Sequence, residues 1–269
     1  MNELDPRVKR VQAFYDASPE TEWQRLDQHP IEFALTRRIL SEYLPPAPSA
    51  ILDLGGGPGR YALELARQGY QVTLADLSPA NIAFAERKSK ELCLALSGFL
   101  VQDASQPLPF PVNTFDAVLL LGPLYHLITF EQRLTAVRNA LDVLKPGGML
   151  FAAFITLSGA LRSIVMNSPN QLASEWRTMH DGTNDPDLGF TEAYFARIPE
   201  IEVLMKTAGC QLVEIIGCEG FSAIVEQSFL SAEIDKHTWQ HWVELNLEFG
   251  RHTTALEASD HILYVARKP

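Results

Sequence analysis

Apolar residues recur along this chain in two rhythms that take turns. Short apolar-rich runs at residues 51–54, 71–76, 98–104, 115–121, 149–155, 212–216 and 261–267 have strand length. Between them, residues 61–66, 79–90, 131–144 and 198–208 show the spacing of a helix packed by one face. Strands and helices in alternation predict an α/β domain with a mostly parallel, doubly wound sheet and helices on both of its faces. Ahead of the first strand, Val8, Val11, Phe14 and Tyr15, and then Ile31, Leu35, Ile39 and Leu40, predict one or two helices over 6–44, ended by the Pro-rich run at 45–48. Residues 156–197 are irregular, with Pro and Gly punctuation, and 226–258 are helical beyond what a connection needs. The pattern reads as one domain over 1–269, with a helical extension at 1–45 and cap or lid insertions at 156–197 and 226–258.

The chemistry begins where the first strand, Ile51-Leu52-Asp53-Leu54, runs into Gly55-Gly56-Gly57-Pro58-Gly59 and then into a helix. Glycines without Cβ allow positive φ and close approach of a ligand, and the helix start offers unpaired N–H groups. A cofactor is expected on that turn. The dinucleotide fingerprint wants a small residue at position 60 and finds Arg60, and no Gly-Lys-Ser/Thr follows for a phosphate loop.

Asp53, Gly55, Gly57 and Gly59 instead resemble motif I, acid-x-Gly-x-Gly-x-Gly, of the class I S-adenosylmethionine-dependent methyltransferases. Further segments fit the same family. The second run ends in Asp76, 23 positions after Asp53, where a carboxylate can accept hydrogen bonds from vicinal ribose hydroxyls. The third run carries Asp103, with Gln102 beside it as the alternative, and Leu108-Pro109-Phe110-Pro111 leading to Phe115-Asp116 is similar to the family's LPFPDxxFD. Leu144-Lys145-Pro146-Gly147-Gly148 matches its structural LKPGG turn, read as the end of the preceding helix. The likeness is strong over 50–155 and weak elsewhere. It implies a Rossmann-like seven-stranded sheet in the order 3-2-1-4-5-7-6 and S-adenosylmethionine as cofactor. The glycine turn would lie beside its methionine part, Asp76 with Leu77 at the ribose, Asp103 with Ala104 at the adenine, and the backbone of Leu121 and Gly122 at the ammonium.

After the fourth run come Gly122-Pro123-Leu124-Tyr125-His126, similar to small-molecule methyltransferases and lacking the Asn/Asp-Pro-Pro-aromatic signature of enzymes that methylate bases. His126, with Tyr125, is the catalytic candidate: a neutral imidazole can take the proton of an attacking nucleophile, though capping the next helix or touching cofactor are equal alternatives. Tyr15, Trp23 and His29, from an aromatic and polar stretch of the extension, are candidate substrate residues folded over the pocket. His180-Asp181 in the first insertion reads as an exposed loop pair. His237 and His241 lie four apart, but no third ligand is evident, so no metal is expected.

Charge and cysteines narrow the partners. The formal net charge is −11, which repels a phosphate backbone, so nucleic acid is not an expected partner. Cys93, Cys210 and Cys218 form no CxxC pair and suit buried, reduced thiols and a cytoplasmic setting. The N-terminal stretch has no apolar core of signal-peptide length and no run approaches a membrane span. The expectation is a cytoplasmic methyltransferase acting on a small molecule, of undetermined oligomeric state. Its rivals are a non-catalytic cofactor-binding sensor or scaffold, an RNA or protein methyltransferase, and a nicotinamide oxidoreductase.

Overall fold

The computed structural model of the chain describes residues 5–188 and 190–269. Three helices, not one or two, precede the sheet: α1 (Pro6–Asp16), α2 (Pro19–Gln28) and α3 (Pro30–Tyr43). Each begins with a proline at its first turn, where the missing N–H costs no bond and φ is already helical. The core then alternates as β1 (Ala50–Leu54), α4 (Arg60–Arg67), β2 (Gln71–Asp76), α5 (Pro79–Glu91), β3 (Gly98–Val101), β4 (Phe115–Leu120), α6 (Phe130–Val143) and β5 (Leu144–Ile155). The first insertion follows with α7 (Leu157–Asn167) and α8 (Trp176–Asp181), then α9 (Ile198–Ala208) and β6 (Gln211–Gly217). The second insertion is α10 (Glu226–Ser231), α11 (Lys236–Gly250) and α12 (Thr253–Leu256), and β7 (His261–Arg267) closes the sheet.

The seven strands run β3-β2-β1-β4-β5-β7-β6, parallel except for β7, which is antiparallel to both of its neighbours. Period-two alternation decides which layer each side chain joins. Leu52 and Leu54 of β1 pack with Ala136, Val137 and Leu204 under α6 and α9, while Ile51 packs with Leu35, Ile39 and Leu65 under α3 and α4.

Three boundaries differ from the sequence reading. β3 ends at Val101, so Gln102 and Asp103 lie on the loop beyond it, where Gln102 N–H still donates to Asp76 C=O. The LKPGG segment belongs to β5: α6 is capped by Leu144 in an extended conformation, and Gly147 takes its positive φ of 76° three residues further on. Its lysine has a structural partner, because Asp116 accepts from Lys145 Nζ at 2.7 Å and from Ala50 N–H at 2.9 Å, tying the starts of β1, β4 and β5 together. Cys93 is exposed rather than buried, at a turn with φ 53°, while Cys218 is buried and Cys210 half-buried, all unpaired. Among the described residues no helix is long and apolar enough to cross a membrane.

Candidate functional site

In an open parallel sheet the strand ends beside the switch in strand order face no crossover helix, and here that switch lies between β1 and β4. A cavity opens at this point, lined by the glycine turn after β1, the ends of β2 and β4, and the loop after β3. It contains Asp53, Gly55, Gly57, Asp76, Leu77, Asp103, Ala104, Leu121, Gly122, Tyr125, His126 and Tyr15 of the residues singled out in the sequence. Gly59, Trp23 and His29 do not line it. Gly59 caps α4 at φ 88°, and a Cβ there would come within 3.2 Å of Ala85 and Leu74, so its task is helix packing. Trp23 turns away from the cavity toward α5, against Phe84 and under the Arg60 guanidinium at 4.9 Å. Arg60, which broke the dinucleotide pattern, is accommodated at the start of α4 at the cavity's edge, its guanidinium over Trp23 and Phe33 and paired with Asp27. His29 sits between α2 and α3.

The turn is built around two buried acids. Gly55 and Gly57 have φ of 77° and 57°, and a Cβ on Gly122 would come within 2.7 Å of Gly55 O, so the two loops touch backbone to backbone. Gly56 has its own reason: a Cβ there would fall 2.5 Å from the Asp53 carboxylate. Asp53 is fully buried, and neither of its oxygens accepts a hydrogen bond from another protein group. Burial, with Asp76 nearby, pushes its carboxyl up to about 7. Two orphaned acceptors in the wall of a cavity fit a ligand carrying N–H donors, and the ammonium of S-adenosylmethionine is such a donor.

Asp76 is held from behind. Its Oδ2 accepts Gly57 N–H at 2.8 Å, and its Oδ1 accepts Ser78 N–H at 2.9 Å and Asn81 Nδ2 at 3.2 Å. Ser78 caps α5, accepting Asn81 N–H. Burial raises the Asp76 carboxyl, and these donors work against that rise. Oδ1 is filled by its two donors, and Oδ2 retains a lone pair for a ligand hydroxyl. Asp103 uses Oδ1 to accept from Ser105 N–H and Oγ, both at 2.8 Å.

The N-terminal helices add lining residues that the sequence reading had not singled out for the site: Val8 and Val11 of α1, and Glu22, Arg25 and Leu26 of α2. Val8, Val11 and Tyr15 share one face of α1, a spacing that was readable; that Glu22 and Arg25 face inward was not. Arg25 holds Glu32 with two hydrogen bonds, 2.8 and 3.1 Å, and Glu22 with a third at 3.1 Å. Behind Glu32 stands His261, 3.9 Å away, paired with Glu219 at 2.5 Å. Glu32, Glu219 and His261 converge closely enough to ligate a metal ion, but the Arg25 guanidinium already supplies the cation that Glu32 faces. His126 reaches back to the extension, where its Nε2 meets Tyr15 Oη at 2.7 Å, while its Nδ1 lies 2.8 Å from the carbonyl of Glu192. The first insertion reaches His126 through Glu192 and through Phe190, whose ring lies 5.5 Å from the imidazole. His180 and Asp181, exposed on α8, do not line the cavity, and the side chain of Trp176 lies outside what the structure describes. His237 and His241 meet edge-on on the exposed face of α11.

Residues 51–148 match the model of a family described as a methyltransferase domain. A ubiquinone biosynthesis O-methyltransferase from Xanthomonas axonopodis pv. citri is 26% identical over 217 residues, 80% of this chain and 83% of that one. A tRNA 5-carboxymethoxyuridine methyltransferase from Escherichia coli is 23% identical over 92% of this chain and 86% of its own length. Among solved structures, an S-adenosylmethionine-dependent methyltransferase of Methanosarcina mazei superposes with a TM-score of 0.59 at 21% identity, covering 86% of this chain and 96% of that one. With motif I, the sheet order and the cavity at the switch point, these likenesses support a class I S-adenosylmethionine-dependent methyltransferase.

Proposed function

We propose that this methyltransferase acts on a small molecule, bound between the β1 and β4 loops and the helices α1 and α2. The observation that carries the reading is that the chain itself helps enclose the cavity: Val8, Val11, Tyr15, Glu22, Arg25 and Leu26 of α1 and α2 line it together with the glycine turn, and Glu22 Cγ lies 3.8 Å from where a Gly57 Cβ would stand. Such an enclosure leaves room for a compact acceptor.

When bound, S-adenosylmethionine supplies a methyl carbon on a positively charged sulfur with a good leaving group. The chain's part is then alignment and exclusion of water. Asp76, fixed by three donors, receives the ribose; Asp103 and Ala104 edge the adenine; Asp53 and the backbone at Leu121 and Gly122 face the ammonium. Tyr125 and His126 flank the acceptor. Tyr125 Oη lies beside the place where a Gly122 Cβ would be, at 3.9 Å, and burial holds its phenol protonated.

Titration of S-adenosylhomocysteine into the pure protein by calorimetry, with Asp76→Ala beside it, tests the cofactor end. Micromolar binding weakened by about 1–3 kcal/mol in the variant is expected, with the fold checked by thermal melting. Wild-type protein that binds no S-adenosylhomocysteine overturns the reading.

A further inference from the structure

The Tyr15–His126 contact joins positions 111 apart in sequence, and its polarity is fixed. A backbone carbonyl can only accept, so Nδ1 of His126 carries the proton and donates to Glu192 C=O. Nε2 is therefore the bare nitrogen, and Tyr15 must donate its hydroxyl to it. Both side chains agree with these roles. Burial lowers the His126 imidazole to about 4, so it stands neutral, and burial raises the Tyr15 phenol well above its usual value, so it keeps its proton. Tyr15 lines the cavity, and the hydroxyl lone pairs remain free to accept. Phe14 packs edge-on against Tyr15 at 5.3 Å, and Phe190 lies tilted against His126 at 5.5 Å.

Resting on the methyltransferase reading, we infer that Tyr15, His126 and the Glu192 carbonyl form a proton relay that makes the acceptor a weakly acidic hydroxyl, phenolic or enolic, and the reaction an O-methylation. The acceptor O–H donates to Tyr15 Oη. As the oxygen forms its bond to the methyl carbon, the carbon–sulfur bond breaks and its electron pair stays on sulfur. The acceptor proton passes to Tyr15 and the Tyr15 proton passes to His126 Nε2; once the products leave, Nε2 gives its proton back to Tyr15, which releases one to the water that enters the cavity, and both side chains are restored. A relay of this kind is matched to oxygen. Thiols ionise unaided near neutral pH, and amines attack through a lone pair and shed their proton afterwards. A phenol or enol is far more acidic than an alkyl alcohol before the methyl arrives, so it gives up its proton to a weak base that an alkyl alcohol would not.

The test uses full-length protein with S-adenosylmethionine and three probes, catechol, an aliphatic thiol and aniline, following S-adenosylhomocysteine formed, with 4-nitrophenol as an acceptor already ionised at alkaline pH. Catechol should be the methylated probe, and Tyr15→Phe and His126→Gln should each slow it by about 100-fold or more. With 4-nitrophenol at alkaline pH the variants should stay within a few-fold of wild type, because no proton has to leave, and all three proteins should bind S-adenosylhomocysteine alike. Methylation of the thiol or aniline with catechol untouched, equal losses on catechol and on ionised 4-nitrophenol, or no phenol bound or methylated by protein that binds S-adenosylhomocysteine, each overturns the relay while leaving the methyltransferase reading intact. Failure of wild-type protein to bind S-adenosylhomocysteine removes both.

Discussion

Asp53 shows how a single buried side chain sets the terms for the cofactor. Burial and Asp76 raise its carboxyl to about 7 against the weak pull of the Ala62 backbone N–H, so it holds a proton through much of the acidic range. A cationic amine placed against it favours the ionised form, so binding lowers its pKa and expels the proton. The affinity for S-adenosylhomocysteine should accordingly rise with pH up to about 7 and level off above it. Calorimetry in buffers of different ionisation enthalpy should detect the released proton, and Asp53→Asn should bind more weakly without release; unchanged release in that variant would assign the proton elsewhere. The glycines make the complementary point. Gly122→Ala sets a Cβ 2.7 Å from Gly55 O, where both neighbours are backbone and neither can yield cheaply. It should cost at least tenfold in S-adenosylhomocysteine affinity, while Gly147→Ala, where nothing lies within 4 Å, should leave affinity unaffected although its φ of 76° strains the fold.

Among the elements, what holds the cap is a buried run of charge: Arg25 on α2, Glu32 on α3, His261 at the start of β7 and Glu219 just after β6. Glu226 on α10 joins it by accepting Ile31 N–H at 2.9 Å. Burial would lower His261, but Glu219 and Glu32 override it and raise the imidazole to about 9; burial likewise raises Glu226 to about 7. A raised folded-state pKa means the native protein binds the extra proton. The His261 contribution is therefore complete below its ordinary 6.5 and disappears as pH climbs through about 9, and Glu226 works in the same direction from its ordinary 4.5 to about 7. Glu32 runs the other way: burial opposes it, but Arg25 and His261 lower it to about 2, so its contribution holds above 4.5 and is lost toward about 2. Melting temperature should thus decline by several degrees from pH 6.5 to 9, and His261→Gln should flatten that decline; an identical slope in the variant would refute the assignment. This network also marks the limit of what the sequence reveals. The Asp53, Asp76 and Asp103 positions were legible because strand–turn–helix periodicity is local and motif spacing survives from protein to protein. The clustering of Arg25, Glu32 and His261 was not, because it joins three elements and nothing in the sequence near any of them signals which face turns inward. Trp23 and His29 were drawn into the pocket by residue type alone, whereas the direction of the α2 side chains decides the matter: Glu22 and Arg25 point in, and Trp23 points to Phe84.

The whole molecule bears on the choice between a small acceptor and RNA, since a relative is a tRNA methyltransferase. Binding a polyanion requires several cations that no carboxylate has already claimed, and the overall charge here is −11. On the side formed by α3, α4 and α5, Arg37 lies 2.7 Å from Glu64, Arg60 2.7 Å from Asp27, Arg67 2.5 Å from Glu64, Arg87 3.8 Å from Glu91 and Lys88 3.0 Å from Glu91. On α1, beside the cavity, Arg10 lies 3.4 Å from Glu192. Exposed pairs of this sort add little stability, but they cancel the local field that would draw in phosphates. A tRNA should therefore bind no more tightly than about 10⁻⁴ M near physiological salt, the weak end of non-specific association. Filter binding across a salt series checks this: micromolar retention that falls steeply as salt rises would mean that the cations exchange their carboxylates for phosphates, and would favour RNA as the acceptor. Weak binding with a shallow slope, together with methyl transfer to catechol, is the result that the charge distribution and the cavity lined by α1 and α2 lead us to expect.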